Sequence, residues 1–81
     1  MNRISIHTLD YYNKCVIPRI AEKYHMTMMN AIRAFLLSKT HAMLENPDMA
    51  LWEFPEWAIF EIWETEHNTG NPRDSMYLKG E

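Results

Sequence analysis

The sequence predicts an all-α domain of three to four helices, and three observations carry that reading. Leu9, Tyr12, Val16, Ile20 and Tyr24 recur at spacings of three and four, the period of an amphipathic helix. Ile32, Phe35, Leu36, Met43 and Leu44 form a second apolar face behind Thr27, a residue suited to capping a helix. Pro55 precedes a third run, Trp57, Ala58, Ile59, Phe60, Ile62 and Trp63, that closes on Asn68-Thr69-Gly70.

Taken in order, Arg3-Ile4-Ser5-Ile6-His7 alternates polar and apolar. That is the period of a short half-buried strand, the one β element the pattern allows. Thr8 is the natural cap for a helix beginning at Leu9, with Asp10 in its first turn. Pro18 interrupts this helix and predicts a kink or a second segment, because proline lacks an N–H and collides with the carbonyl four residues earlier. Thr27 starts the next helix, which the apolar face carries to Leu44. Asn46-Pro47-Asp48 stops it and suits the start of another turn. Met49–Phe54 then reads as a helical turn or an extended link. The last helix is expected from Glu56 to about His67. A single helical domain over residues 1–70 and an extended or flexible tail over 71–81 are the expected organisation.

The chain has 81 residues, 47% of them hydrophobic, with seven Met, three Trp, four Tyr and three Phe. So small a chain buries only about 60–65% of its unfolded surface, which leaves little interior for so many large apolar groups. The surplus points to a second subunit or a partner surface. Cys15 is the only cysteine, so no disulfide forms within the chain. A lone thiol suits a reducing cytoplasm, and its ordinary role is that of a small buried hydrophobe. No signal peptide or membrane span is read, since no apolar run, Ala34–Leu37 and Trp57–Phe60 among them, exceeds four residues and a span needs about 20 residues.

The net charge of −3 is unevenly spread. Residues 1–40 carry six basic and two acidic side chains, a balance of +4, whereas residues 41–81 carry two basic and nine acidic, a balance of −7. Either half could face a charged partner, or the two could satisfy each other.

No catalytic, cofactor or metal site is expected. His7, His25, His41 and His67 lie too far apart for paired zinc spacing. His41 and Glu45 stand at i, i+4 and read as a surface contact. Glu53, Glu56, Glu61, Glu64 and Glu66 read as a solvated acidic face rather than as a general acid and base, which would require a pocket. Ser5, Ser38 and Ser75 sit in no Gly-x-Ser-x-Gly elbow, and two glycines cannot build a phosphate-cradling loop. The aromatic cluster Trp52, Phe54, Trp57, Phe60 and Trp63 is the candidate protein-binding surface, because tryptophan dominates interface hot spots. Its bland alternative is core filling.

Two resemblances bear on function. The stretch from Arg3 to Leu44 combines an alternating segment, a helix ending in Ala21-Glu22-Lys23, a short turn and a Thr27-capped helix with Ile32. It resembles the ribbon-helix-helix DNA-binding family, which implies a dimer whose strand residues, here Arg3, Ser5 and His7, read bases in the major groove. It departs from that family in lacking a glycine at the inter-helix turn. Val16-Ile17, Trp52-Glu53, Ile59-Phe60-Glu61-Ile62-Trp63-Glu64 and Gly70-Asn71-Pro72-Arg73 look like small helical bacterial proteins of toxin–antitoxin-like operons. That likeness implies an antitoxin-like or regulatory protein-binding role and carries over no functional residues. The expected function is therefore a non-enzymatic, self-associating protein-binding module of the cytoplasm, a homodimer with no membrane contact. A dimeric DNA-binding regulator is the second reading, and an acidic inhibitor mimicking nucleic acid the third.

Overall fold

A computed structural model describes residues 6–78 and contains four α-helices and no strand among them. Helix α1 spans Ile6–Lys23, α2 Met28–Leu36, α3 Lys39–Glu45 and α4 Glu56–Thr69. Three short 3₁₀ turns, Pro47–Met49, Leu51–Glu53 and Pro72–Asp74, complete the chain. None of the helices among the described residues is long and apolar enough to cross a membrane.

Helix α1 begins ahead of the expected Thr8 cap, and Ile6 and His7 are helical rather than extended. Arg3, Ile4 and Ser5, the rest of the expected strand, lie outside the described residues. A lone strand at Ile6 and His7 would have no second strand to take its backbone groups, whereas the helix takes their carbonyls into its own ladder. The apolar stripe behaves as its spacing requires: Tyr12, Val16, Ile17 and Ile20 are buried, and Leu9 and Tyr24 pack against the same core.

Helix α1 also runs through Pro18 without a break. Pro18 is exposed, so water can stand in for the backbone donor that the Lys14 carbonyl loses. Because proline in a helix interior costs about 3 kcal/mol and restricts the unfolded chain by a smaller amount, Pro18→Ala is expected to stabilise the protein by about 1–2 kcal/mol. The melting temperature should rise by several degrees, and a fall would show that Pro18 fixes a packing angle.

The turn after α1 solves the missing-glycine problem with His25, whose φ of 56° is left-handed. The Met26 N–H reaches back to the Ala21 carbonyl at 3.0 Å and the Tyr24 N–H to that of Ile20 at 3.0 Å, which closes the helix end as a Schellman turn does. Thr27 then caps α2 as its sequence position predicts, its Oγ1 accepting from the Asn30 N–H at 3.1 Å.

The expected single helix from Thr27 to Leu44 is two helices. Leu37 and Ser38 separate α2 from α3, with Ser38 extended at φ −80°, ψ 158°. The Ser38 hydroxyl donates to the Phe35 carbonyl at 2.6 Å and accepts from the His41 N–H at 3.0 Å. Serine competes with the helix ladder in just this local way. A distant group completes the break: Glu66 on α4 accepts from the N–H groups of both Lys39 and Thr40 at 2.8 Å, and from the Thr40 hydroxyl at 2.8 Å. The break leaves Phe35 and Leu44 in the core but turns Leu36 outward.

After α3, the Asn46 side chain accepts from the Asp48 N–H at 3.0 Å, as the Asn-Pro-Asp pattern predicts. Ala50, with a left-handed φ of 54°, joins the next two turns and places Leu51 in the core. Pro55 leads into α4, which ends two residues later than expected, at Thr69, where Gly70 adopts φ 85° and donates to the Glu66 carbonyl at 2.7 Å.

The folded unit does not stop at residue 70. Pro72 and Ser75 are buried, Tyr77 and Leu78 pack on the core, and the Pro72–Asp74 turn lies against α4. Residues 71–78 are therefore not an extended tail; residues 79–81 lie outside the described ones. Asn71 holds the turn by accepting from the Arg73 N–H at 3.1 Å.

Candidate protein-binding surface

The five clustered aromatics do not share one surface. Trp63 is only 3% exposed and belongs to the core, so it drops out of the candidate interface. Its indole N–H donates to the Ala34 carbonyl at 3.2 Å, near the point where α2 ends. Its ring stacks on His67 at 5.0 Å and meets the edge of Tyr24 at 5.5 Å. Phe60 is half-buried along the seam of α1 and α4, with the Lys23 ammonium 5.8 Å from its centre.

Phe54 and Trp57 do come together, around a residue that the sequence reading left in the tail, and Trp52 stands two residues ahead of Phe54 in the chain. Tyr77 lies 5.8 Å from Phe54 and 6.0 Å from Trp57, ring centre to ring centre. Trp57 is 51% exposed and Trp52 41%, with Met76 still more open beside Tyr77. The run Met76-Tyr77-Leu78 was the available signal for this addition. The segment is tied to α1 by Tyr12, whose hydroxyl lies 2.5 Å from the Phe54 carbonyl and 3.0 Å from that of Trp52 and donates its single proton to this pair. Burial and the neighbouring Tyr11 raise the Tyr12 hydroxyl pKa, which keeps that donor protonated.

A second apolar surface lies on α2. Met28, Met29 and Leu36 are exposed on it, and Leu37, at its end, is 84% exposed. Arg33 is exposed between them and takes part in no ion pair among the described residues. Beside it an open groove of about 660 Å³ is lined in part by Ala34, Leu37, Trp63 and His67.

Part of the charge division is settled inside the chain. Arg19 pairs with Glu56 at 3.2 Å and Lys23 with Glu64 at 2.5 Å, each joining the basic half to the acidic one. Such partly exposed pairs contribute little energy, about 0–1 kcal/mol each, and each links α1 to α4. Tyr24 reinforces the second pair by donating to Glu64 at 2.7 Å, and burial together with Glu64 pushes its hydroxyl pKa up to about 12. Asp48, Glu53 and Asp74 remain exposed and outside any ion pair among the described residues.

His41 is not a surface residue. Its ring is buried edge-on against Phe35 at 5.2 Å, with Nδ1 3.7 Å from Glu45. Burial lowers its pKa, and Glu45 offsets this only in part, so the contact joins a neutral imidazole to a carboxylate and is not an ion pair at neutral pH. A group whose pKa falls on folding favours the folded state above its unfolded value of about 6.5 and penalises it as pH drops below that. The stability of the wild type is therefore expected to fall between pH 7.5 and 5 more steeply than that of His41→Gln. Urea midpoints at the two pH values measure this, and parallel losses would contradict it.

Among the described residues no group of three or more His, Cys, Asp or Glu side chains is placed to hold a metal ion. His7 lies in the first turn of α1, while Arg3 and Ser5, the other two candidate base readers, lie outside the described residues. Cys15 is half-buried rather than fully enclosed. No protein-family model, curated protein or solved structure matches the chain.

Proposed function

We propose that this protein is a non-enzymatic protein-binding module that self-associates through the surface formed by Trp52, Phe54 and Trp57, completed by Tyr77. The observation that carries the reading is Trp57: a large indole, half in solvent, held against Tyr77 on a scaffold pinned to α1. A tryptophan left this open exposes apolar area that a partner surface would cover at about 25 cal/mol per Å², and rigid aromatics pay little conformational entropy on docking. Trp63 does not contribute, since the core already occupies it. A regulatory or antitoxin-like role fits such a module, with the homodimer as its resting form and a toxin-like protein as the partner.

The test is the mass in solution. Light scattering after size exclusion should give a dimer at micromolar concentration for the wild type and a monomer for Trp57→Ala, with unchanged circular dichroism. A strictly monomeric wild type at high concentration would end this reading.

A further inference from the structure

We infer that α3 is an acid-released segment: a proton taken up by His41 frees Lys39–Glu45 from the domain while α1, α2 and α4 stay packed. The release starts from a ring with nowhere to put a second N–H. His41 is buried edge-on against Phe35, and its Nε2 is enclosed without a hydrogen-bond partner. A charged imidazole donates from both nitrogens, so protonation leaves a cationic N–H without an acceptor in apolar surroundings, a costly state.

The neighbouring charges do little to hold that cation. On α3 itself, Glu45 lies 3.7 Å from Nδ1 but is more than half exposed, and Lys39 donates to the Gly70 carbonyl at 3.3 Å. Helix α2 sets Phe35 against the ring, and its Arg33 is exposed. Helix α4 brings Glu66, whose carboxylate is taken by Lys39 and Thr40, and His67, which stacks on Trp63. Asp48 and Glu53, on the 3₁₀ turns packed against α3, are exposed.

The segment can come away by itself. Seven residues do not hold a helix in water without packing. The backbone is extended on both sides of α3, with ψ 158° at Ser38 and 112° at Asn46, joints that can absorb a change of direction. The packing of α1 on α2 and on α4 does not pass through α3. Burial disfavours the charged ring in the docked segment, and Glu45 offsets this only in part. The released ring titrates near its ordinary value of about 6.5, so release is favoured as pH falls below that value.

Hydrogen exchange at pH 7.5 and pH 5, corrected for intrinsic rates, tests this. The amides of Ala42, Met43 and Leu44 should be at least about tenfold less protected at pH 5 than those of Val16 and Ile62, the mark of a local opening. Their protection should fall about three- to thirtyfold between the two pH values, thirtyfold being the limit for one proton bound only in the open form. His41→Gln should abolish that fall. Glu45→Gln, at an exposed position, should enlarge it, because the carboxylate that favours the docked cation is gone; this variant decides the matter if His41→Gln does not fold. Protection of the α3 amides equal to that of Val16 and Ile62 would overturn the inference, since only the whole domain would then open. An undiminished fall in His41→Gln, or a fall in Glu45→Gln no larger than that of the wild type, would also overturn it.

Discussion

Trp63→Ala is expected to lower the unfolding free energy by about 3–5 kcal/mol, the usual loss for truncating a buried large aromatic. Native domains have only about 5–15 kcal/mol to lose, and one of 81 residues stands near the lower end, so the variant should be partly unfolded at 37 °C. The damage has two parts. Removal of the ring opens a cavity among Tyr24, His67 and the core of α4. Removal of the indole N–H takes away the donor that the Ala34 carbonyl has near the end of α2, and abandoning this partly buried acceptor costs about 1 kcal/mol or more. Trp63→Phe separates the parts, since it keeps most of the ring and loses the donor; its deficit should be about 1–3 kcal/mol. Urea denaturation measures both. Trp57→Ala, at an exposed position only six residues away, should change stability by less than about 1 kcal/mol. Equal losses at positions 57 and 63 would refute the division of the aromatic cluster into a surface and a core.

The second large effect is expected at Glu66. Its carboxylate takes three hydrogen bonds from Lys39 and Thr40 at the start of α3, a charged acceptor where the helix presents free N–H groups and the positive end of its dipole. Thr40 is wholly buried, so Glu66→Ala leaves its hydroxyl and N–H without their acceptor. Losing those bonds, partly offset by water reaching the exposed Lys39 N–H, should cost about 2–3 kcal/mol. Glu66→Gln retains one acceptor oxygen but not the charge and should fall between wild type and Glu66→Ala. The loss should appear as a drop of roughly 10 °C or more in melting temperature for a domain of this size. Hydrogen exchange should show the amides of Lys39 and Thr40 opening first. If Glu66→Ala melts with the wild type, Ser38 alone suffices to start α3.

Local chemistry in the sequence was enough to determine the all-α class, the stripe of Tyr12, Val16 and Ile20, the Thr27 cap, the Asn46 turn and the Gly70 stop. Each of these depends on a spacing or on a side chain acting within four residues of itself, so it is written in the chain directly. What the sequence left to the tertiary structure involves partners far away. The division of α2 from α3 is strengthened by Glu66, more than twenty residues from the break it caps. Pro18 stays within a continuous α1 because that side of the helix faces water. Residues 71–78 join the domain because α4 and the aromatic residues give Pro72 and Tyr77 something to pack against. The aromatic cluster shows the same limit: five similar residues within twelve positions become a buried Trp63 and an open Trp57. A helix apolar over most of its circumference does not itself say which side its neighbours will cover. Only the placement of α1 and of the Ala34 carbonyl against α4 decided that Trp63 belongs to the core and that Trp57 faces outward.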